Sequence, residues 1–194
     1  MRLKILSLNV RGLGSPTKVN SLCNELELLN FDIVLLQETH ISCPRQAKAF
    51  QRSWRGKCYW SFGTGESGGV AVLLPPHFSG SVQRFLFYSD GRILSLLFIF
   101  GPLSKLNVIN IYAPNLVYDR KTFFEQIHCV DRATHEFQSD NVLFSHKNCL
   151  AALKTDFSLV DVYRKLNPRG ISFTWSNKNN TQASQLDRFF ISQS

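Results

Sequence analysis

Glu38 closes the segment Phe31-Asp32-Ile33-Val34-Leu35-Leu36-Gln37-Glu38, which is apolar at Phe31 and continuously from Ile33 to Leu36. Such a run reads as a strand buried on both faces, as in the inner sheet of an α/β protein. A carboxylate at the end of a buried strand is costly unless positive charge meets it. A divalent cation at the mouth of the sheet, where α/β proteins keep their ligands, would supply that charge. The alternative is an ordinary exposed Glu where the strand enters a loop. The segment alone leaves both readings open.

The elements around Glu38 decide what can meet it. Arg2 to Val10 places apolar residues at Leu3, Ile5, Leu6, Leu8 and Val10 and reads as a strand. Ser15-Pro16 then opens a helix, with a capping hydroxyl and Pro in the first turn. Val19, Leu22, Cys23, Leu26 and Leu29 recur at helical spacing and form the face that packs on the sheet. If the two strands of this strand–helix–strand unit are parallel, Asn9 and Glu38 share one edge of the sheet.

Further on, Trp54 to Phe62 is aromatic and mixed, and Gly63 to Gly69 makes a hairpin turn into the strand Val70 to Leu74. That Gly run lacks the Lys and the following helix of a phosphate-binding loop. Ile93 to Phe100 and Leu106 to Tyr112 form a strand pair joined at Gly101-Pro102. Lys121 to Ile127 and Ser145 to Phe157 read as helices, the latter with Leu150, Leu153 and Phe157 inward. Ser158 to Tyr163, Ile171 to Trp175 and Gln185 to Ile191 complete the elements, with a polar loop from Asn177 to Thr181.

Composition bounds the function. The 194 residues suit one domain, 1–194, with no dividing linker. Hydrophobic residues make up 44% and Phe alone counts 16, which excludes a disordered chain. No apolar run is long enough to span a bilayer, and Asn9 and Arg11 end the N-terminal apolar stretch too early for a signal peptide. A soluble intracellular protein is expected, nuclear or cytoplasmic. The net charge of +8 points to an anionic partner, nucleic acid first, although the charge is scattered. The 5 Cys contain no zinc or CxxC spacing and fit reduced thiols.

Six short segments occur in a fixed order: Leu8-Asn9-Val10-Arg11-Gly12-Leu13, Leu36-Gln37-Glu38-Thr39-His40, Gly68-Gly69-Val70-Ala71-Val72, Asn110-Ile111-Tyr112-Ala113-Pro114-Asn115, Phe173-Thr174-Trp175 and Ser184-Gln185-Leu186-Asp187-Arg188. The ordered set, which spans the chain, resembles the endonuclease/exonuclease/phosphatase family, specifically the endonuclease domain of a LINE-type non-LTR retrotransposon polyprotein. Asp161-Val162-Tyr163-Arg164 and Asn167-Pro168 also resemble retrotransposon members rather than the repair or phosphatase branches.

The resemblance implies an α/β fold, a four-layer sandwich of two packed β-sheets with helices outside. It also implies nicking of DNA by Mg²⁺-dependent (or Mn²⁺-dependent) phosphodiester hydrolysis. On this basis Glu38 corresponds to the metal-binding Glu, and Asn9 to the Asn that orients metal or phosphate. Tyr112 corresponds to the phosphate-contacting Tyr, Asn115 shapes the same loop, and Asp187 lies near metal and water. Asn9, Glu38, Tyr112, Asn115 and Asp187 are thus the implied catalytic set, with Glu38, Asn9 and Asp187 at the metal. Arg11, Thr174, Ser184 and Arg188 would flank the DNA groove. Fusion to a reverse transcriptase, a monomeric state and no membrane partner are also implied.

Plainer readings stand beside these. Asn9 could cap the turn at Gly12, Tyr112 could pack on the core, and Asp187 could pair with Arg188 or Arg164. His40 is expected to be a loop residue whose side chain turns away from Glu38.

Two family landmarks are absent. No Gly-Asp-Phe-Asn follows Asn115; Phe123 to Ile127 runs straight into His128-Cys129-Val130-Asp131-Arg132, as though an inner strand near 128 were deleted. Asp131 and Asp140 are poor replacements, since neither ends an apolar strand. No Ser-Asp-His occurs before the last residues, Ile191 to Ser194, nor the final strand it introduces. His128, His135 and His146 lie in the disturbed middle region. An incomplete sandwich with impaired or absent hydrolysis is therefore expected, the alternative being a catalytically dead relic that still binds nucleic acid. A phosphatase or lipid phosphodiesterase of the same superfamily fits the retrotransposon-like segments poorly.

Overall fold

A computed structural model describes residues 2–87, 90–114, 119, 123–124, 154–155, 158–170, 175–176, 183–184 and 189–192. Two compact units are present, Met1–Ala113 and Pro114–Ser194. The first carries β1 (Ile5–Asn9), α1 (Pro16–Leu29), β2 (Ile33–Gln37), α2 (Pro44–Gln51), β3 (Lys57–Ser61), β4 (Val70–Leu74), β5 (Ser81–Phe87), β6 (Ile93–Ile99) and β7 (Lys105–Ile111). The second carries β8 (Leu159–Asp161), α3 (Val162–Leu166), β9 (Trp175–Ser176), β10 (Ala183–Ser184) and β11 (Phe190–Ser192).

Within Met1–Ala113 the strands form a four-stranded sheet, ordered β1-β2-β4-β3, and a three-stranded sheet, ordered β5-β6-β7. β1 and β2 are parallel, as the strand–helix–strand reading requires, with Asn9 opposite Gln37. The other pairings in these sheets are antiparallel hairpins or returns.

Alternation along β2 explains the layering. Val34 and Leu36 face a core shared with Val19, Cys23 and Leu26 of α1 and Ala47 and Phe50 of α2. Ile33 and Leu35 face the second sheet and meet Leu94, Leu96, Phe98 and Val108. β4 divides its side chains in the same way. The central strands are thus apolar from Ile33 to Leu36 and from Val70 to Leu74, because both faces are covered. Each of their fully buried aliphatic side chains contributes roughly 1.5–3 kcal/mol. Helices, sheet and second sheet are stacked in that order, an α/β sandwich.

Several details depart from the sequence-based reading. Leu29 is half exposed rather than inward. It ends α1, where Asn30 takes the left-handed C-cap conformation at φ 52°. Ser15 occupies the N-cap, but its hydroxyl makes no capping hydrogen bond. Helix α2 and strand β5 were not anticipated. The reason is local: α2 is short, and β5 exposes residues on both faces and lacks apolar alternation. The strand at Ser158 to Tyr163 stops at Asp161, whose carboxylate caps α3 by accepting from Arg164 N. The expected helices at 121–127 and 145–157 fall mostly outside the described residues. Among the described residues no helix is long and apolar enough to cross a membrane.

One polar contact ties the two sheets together. Asn110 of β7 is buried between them, and its amide nitrogen donates to the carbonyls of Leu36 (3.0 Å) and Ala71 (2.8 Å), one on each central strand. Its Oδ1 accepts from Gln37 Nε2 at 2.6 Å, and Gln37 also bonds the Ser7 hydroxyl. Nearly every polar atom of this buried cluster is satisfied, which offsets the cost of burying it.

Replacing Asn110 by Leu strands two carbonyls and the Gln37 amide. We expect a loss of about 2–4 kcal/mol in urea unfolding. Asn107→Ala, on the same strand but partly solvated, removes only the bond from Ser95 Oγ and should cost about 1 kcal/mol. Equal losses for the two would contradict the clamp.

Candidate functional site

The site is built where β1 and β2 end side by side. Val10 N donates to Gln37 O (2.9 Å), the last bond of the parallel ladder, and both chains then turn sharply. After β1, Asn9 Oδ1 accepts from Arg11 N at 3.1 Å, folding the backbone over. Arg11 and Gly12 are left-handed, at φ 47° and 84°. A Cβ at Gly12 would lie 3.1 Å from His40 Nδ1, so both backbone and space favour glycine. Lys18, one turn into α1, secures this loop by donating to the carbonyls of Val10 (2.6 Å) and Arg11 (3.1 Å).

After β2, Glu38 and His40 are also left-handed, at φ 52° and 57°. Their segment is gripped from two sides. Glu38 and Thr39 carbonyls accept from Gly12 N and Leu13 N, while Thr39 N and His40 N donate to the carbonyls of Gly69 and Gly68. Left-handed non-glycine residues cost about 1–3 kcal/mol each, and three of the five among the described residues gather here. Surrounding hydrogen bonds hold the strain in place.

Tyr112 arrives from the second sheet, just past β7. Its N–H donates to Arg92 O (2.8 Å), Arg92 Nη1 donates to Tyr112 O (3.4 Å), and the guanidinium lies 5.3 Å from the Tyr112 ring centroid. Burial acts to raise the Glu38 pKa, but side-chain hydrogen bonds from Asn9 and Tyr112, and the charges of His40 and Arg11, outweigh it. The carboxyl is held below its ordinary value and is ionised at neutral pH.

The structure therefore brings Asn9, Glu38 and Tyr112 together, with Arg11 close enough to act on Glu38. Asn9 caps the turn through its oxygen, as the plainer reading has it, and its side chain also bonds Glu38. Tyr112 likewise packs against the inter-sheet core and bonds Glu38. His40 is in a loop as expected, yet its charge acts on Glu38. The left-handed turns at Glu38 and His40 break the strand alternation on which the opposite expectation rested. Asn115, Thr174, Asp187 and Arg188 lie outside the described residues, and of Ser184 only the backbone, in β10, is described.

Sequence reasoning missed Arg92, Lys18 and the Gln37–Asn110 pair. For Asn110 a signal existed: it shares strand parity with the inward Val108. The tasks of Arg92 and Lys18 depend on backbone carbonyls, which no side-chain pattern displays.

A hard divalent cation needs oxygen ligands and can be held through one or two carboxylates, with water and substrate phosphate completing its shell. The ionised Glu38 suits that donor set. Among the described residues no group of three or more His, Cys, Asp or Glu could hold a metal.

Comparison with known proteins gives a consistent result. A family model described as "Endonuclease/Exonuclease/phosphatase family" matches residues 6–135. The "Transposon TX1 uncharacterized 149 kDa protein" of Xenopus laevis is 27% identical over 215 residues, covering 99% of this chain. The chain spans only 16% of that relative's length. Among solved structures, the AP endonuclease LMAP from Leishmania major superposes with a TM-score of 0.73 at 17% identity, covering 98% of this chain and 79% of that one. The 3′ phosphatase NExo from Neisseria, bound to product DNA hairpin, gives 0.71 at 18% identity, with 98% and 87% covered. The endonuclease domain of TRAS1, a telomere-specific non-LTR retrotransposon, gives 0.66 at 13% identity, with 99% and 86% covered. These likenesses establish a shared fold.

Asn9→Ala and Tyr112→Phe should each raise the Glu38 pKa, read from its side-chain carboxyl carbon shift in an NMR titration. Because the folded value is depressed, the stabilisation from Glu38 is present above its ordinary value of 4.5 and is lost as pH falls through the folded value. Acid unfolding should therefore be less steep in both variants than in the parent. An unchanged Glu38 titration in both would contradict the hydrogen-bonded arrangement.

Proposed function

The chain belongs to the endonuclease/exonuclease/phosphatase family, and from that premise we propose a retrotransposon-type endonuclease domain whose hydrolysis of DNA phosphodiesters is impaired. The carrying observation is the ionised Glu38, held by Asn9 and Tyr112 at the end of the parallel pair β1–β2. The transposon relative and the TRAS1 endonuclease support the retrotransposon branch. Fusion to a reverse transcriptase within a larger polyprotein is proposed from the family resemblance alone. We read 1–194 as a single nuclease domain, acting as a monomer on DNA in the nucleus or cytoplasm.

Glu38 would hold the Mg²⁺ or Mn²⁺, and Asp187 is proposed to join it. When bound, the cation would polarise a phosphate oxygen and lower the pKa of water. Asn9 fixes the carboxylate's orientation, with its own oxygen committed to the turn. Tyr112 donates its hydroxyl to Glu38 and so helps hold the carboxylate, and Arg11 supplies nearby positive charge. Asn115 is proposed to shape the Tyr112 loop, while Thr174, Ser184 and Arg188 line the groove.

Impairment follows from what these 194 residues do not contain. No Gly-Asp-Phe-Asn follows Asn115 within them. By the resemblance, that motif's Asp and Asn would hold the attacking water and the phosphate, so their loss weakens both functions. We propose that an inner strand near 128 is deleted, on the break in the motif order after Asn115. Losing one catalytic member commonly costs about two to four powers of ten in rate. Nucleic-acid binding needs none of the lost groups, and the net charge of +8 favours its retention.

A supercoiled-plasmid nicking assay with Mg²⁺ tests the reading. The expected result is nicking at or barely above background, any residue of it abolished by EDTA and by Glu38→Ala. DNA binding should persist and weaken with salt. Robust turnover lost in Glu38→Ala would overturn the impairment, and nicking indifferent to both Glu38→Ala and EDTA would overturn the site.

A further inference from the structure

β3 and β5 end their respective sheets, and side chains from both meet along one margin of the sandwich. Phe85 pairs with Leu96 and Phe87 with Leu94, residues that face the inter-sheet core. Opposite residues in an antiparallel pair share a face, so both Phe side chains point the same way. Across the gap, Lys57 pairs with Leu74 and Tyr59 with Val72, again on the inter-sheet side. The core thus runs out to solvent as a line of rings: Phe87 stacks on Phe85 at 5.6 Å and 18°, and Phe85 meets Tyr59 at 5.7 Å. Phe85 is 43% and Phe87 55% exposed.

The chemistry around this line is one-sided. Neither β3 nor β5 contains an Asp or Glu, while the exposed Lys57, opposite Leu74, lies on the same side as the rings. The strip also reaches the rim of the site. Phe87 pairs with Leu94 and Leu94 with Asn110, which places Phe87 two strands, about 10 Å, from the residue that precedes Tyr112 by two.

We propose that Tyr59, Phe85 and Phe87, flanked by Lys57, form a stacking platform for unpaired bases of a nucleic-acid strand. Every base offers a π-face to an exposed ring, and the cation beside the rings meets the phosphates. Strand addition by a second copy fits this edge less well. The irregularity between Val82 and Arg84 interrupts the β5 edge, and exposed charges on edge strands oppose pairing. The platform rests on the nucleic-acid reading above but not on cleavage.

Fluorescence anisotropy with the full chain and labelled single strands tests it, comparing oligothymidylate with an abasic strand of equal length. The parent protein should bind the base-bearing strand about tenfold tighter or more, since stacking is sequence-tolerant and strong. Phe85→Ala/Phe87→Ala should bring the two strands to the same affinity with an unchanged salt slope, while Phe85→Tyr/Phe87→Tyr keeps the difference. Lys57→Ala should reduce the salt slope by about one. Equal affinity of the parent for both strands would overturn the proposal without recourse to any variant. So would concentration-dependent self-association in sedimentation that disappears in the Ala double variant while the base preference remains. Glu38→Gln should retain the base preference, so a failed nicking assay and a failed platform are distinguishable.

Discussion

The amide of Asn110 reaching across the sandwich to the carbonyls of Leu36 and Ala71 is the contact on which the site's geometry depends. Hydrophobic burial holds the two sheets together but is non-directional and would tolerate sliding. A buried amide with its bonds nearly satisfied does not, because any shift leaves polar groups unpaired in a dry core. Asn110 lies two residues before Tyr112, and its second partner, Gln37, immediately precedes Glu38. The clamp therefore sets the reach of a hydroxyl on one sheet to a carboxylate on the other.

That carboxylate sits where opposing effects meet. Burial disfavours its charge, while Asn9, Tyr112, His40 and Arg11 favour it and prevail. The balance is achieved on strained backbone, with Arg11, Glu38 and His40 all left-handed. Strain of this kind persists only where neighbours over-determine it. Here they do, through Lys18 on one loop and the Gly68 and Gly69 carbonyls on the other. The ionised Glu38 is thus held by a well-determined set of neighbours.

The exposed rings on β5 express the same tension at the sandwich margin. A strand with Phe85 and Phe87 toward solvent is a liability unless something covers them or the edge is blunted. Its irregular register and neighbouring cations blunt it, and they leave the rings open to a flat, anionic occupant.

Read alone, the amino-acid order determined the central strands, α1 and the pairing of Asn9 with Glu38, since continuous apolar runs and helical spacing are consequences of burial on both faces or on one. Ordered short motifs identified the family, and with it Tyr112. Strand β5 was illegible because its exposure follows no period, and α2 because it is too short to display one. Whether Asn9 caps a turn could not be decided from spacing; it does, and its side chain also bonds Glu38. Only the tertiary structure could decide that, and could make Asn110 the clamp between sheets. Hydrogen bonds to backbone carbonyls of distant strands have no signature along the chain, and they come into being only when the sheets meet.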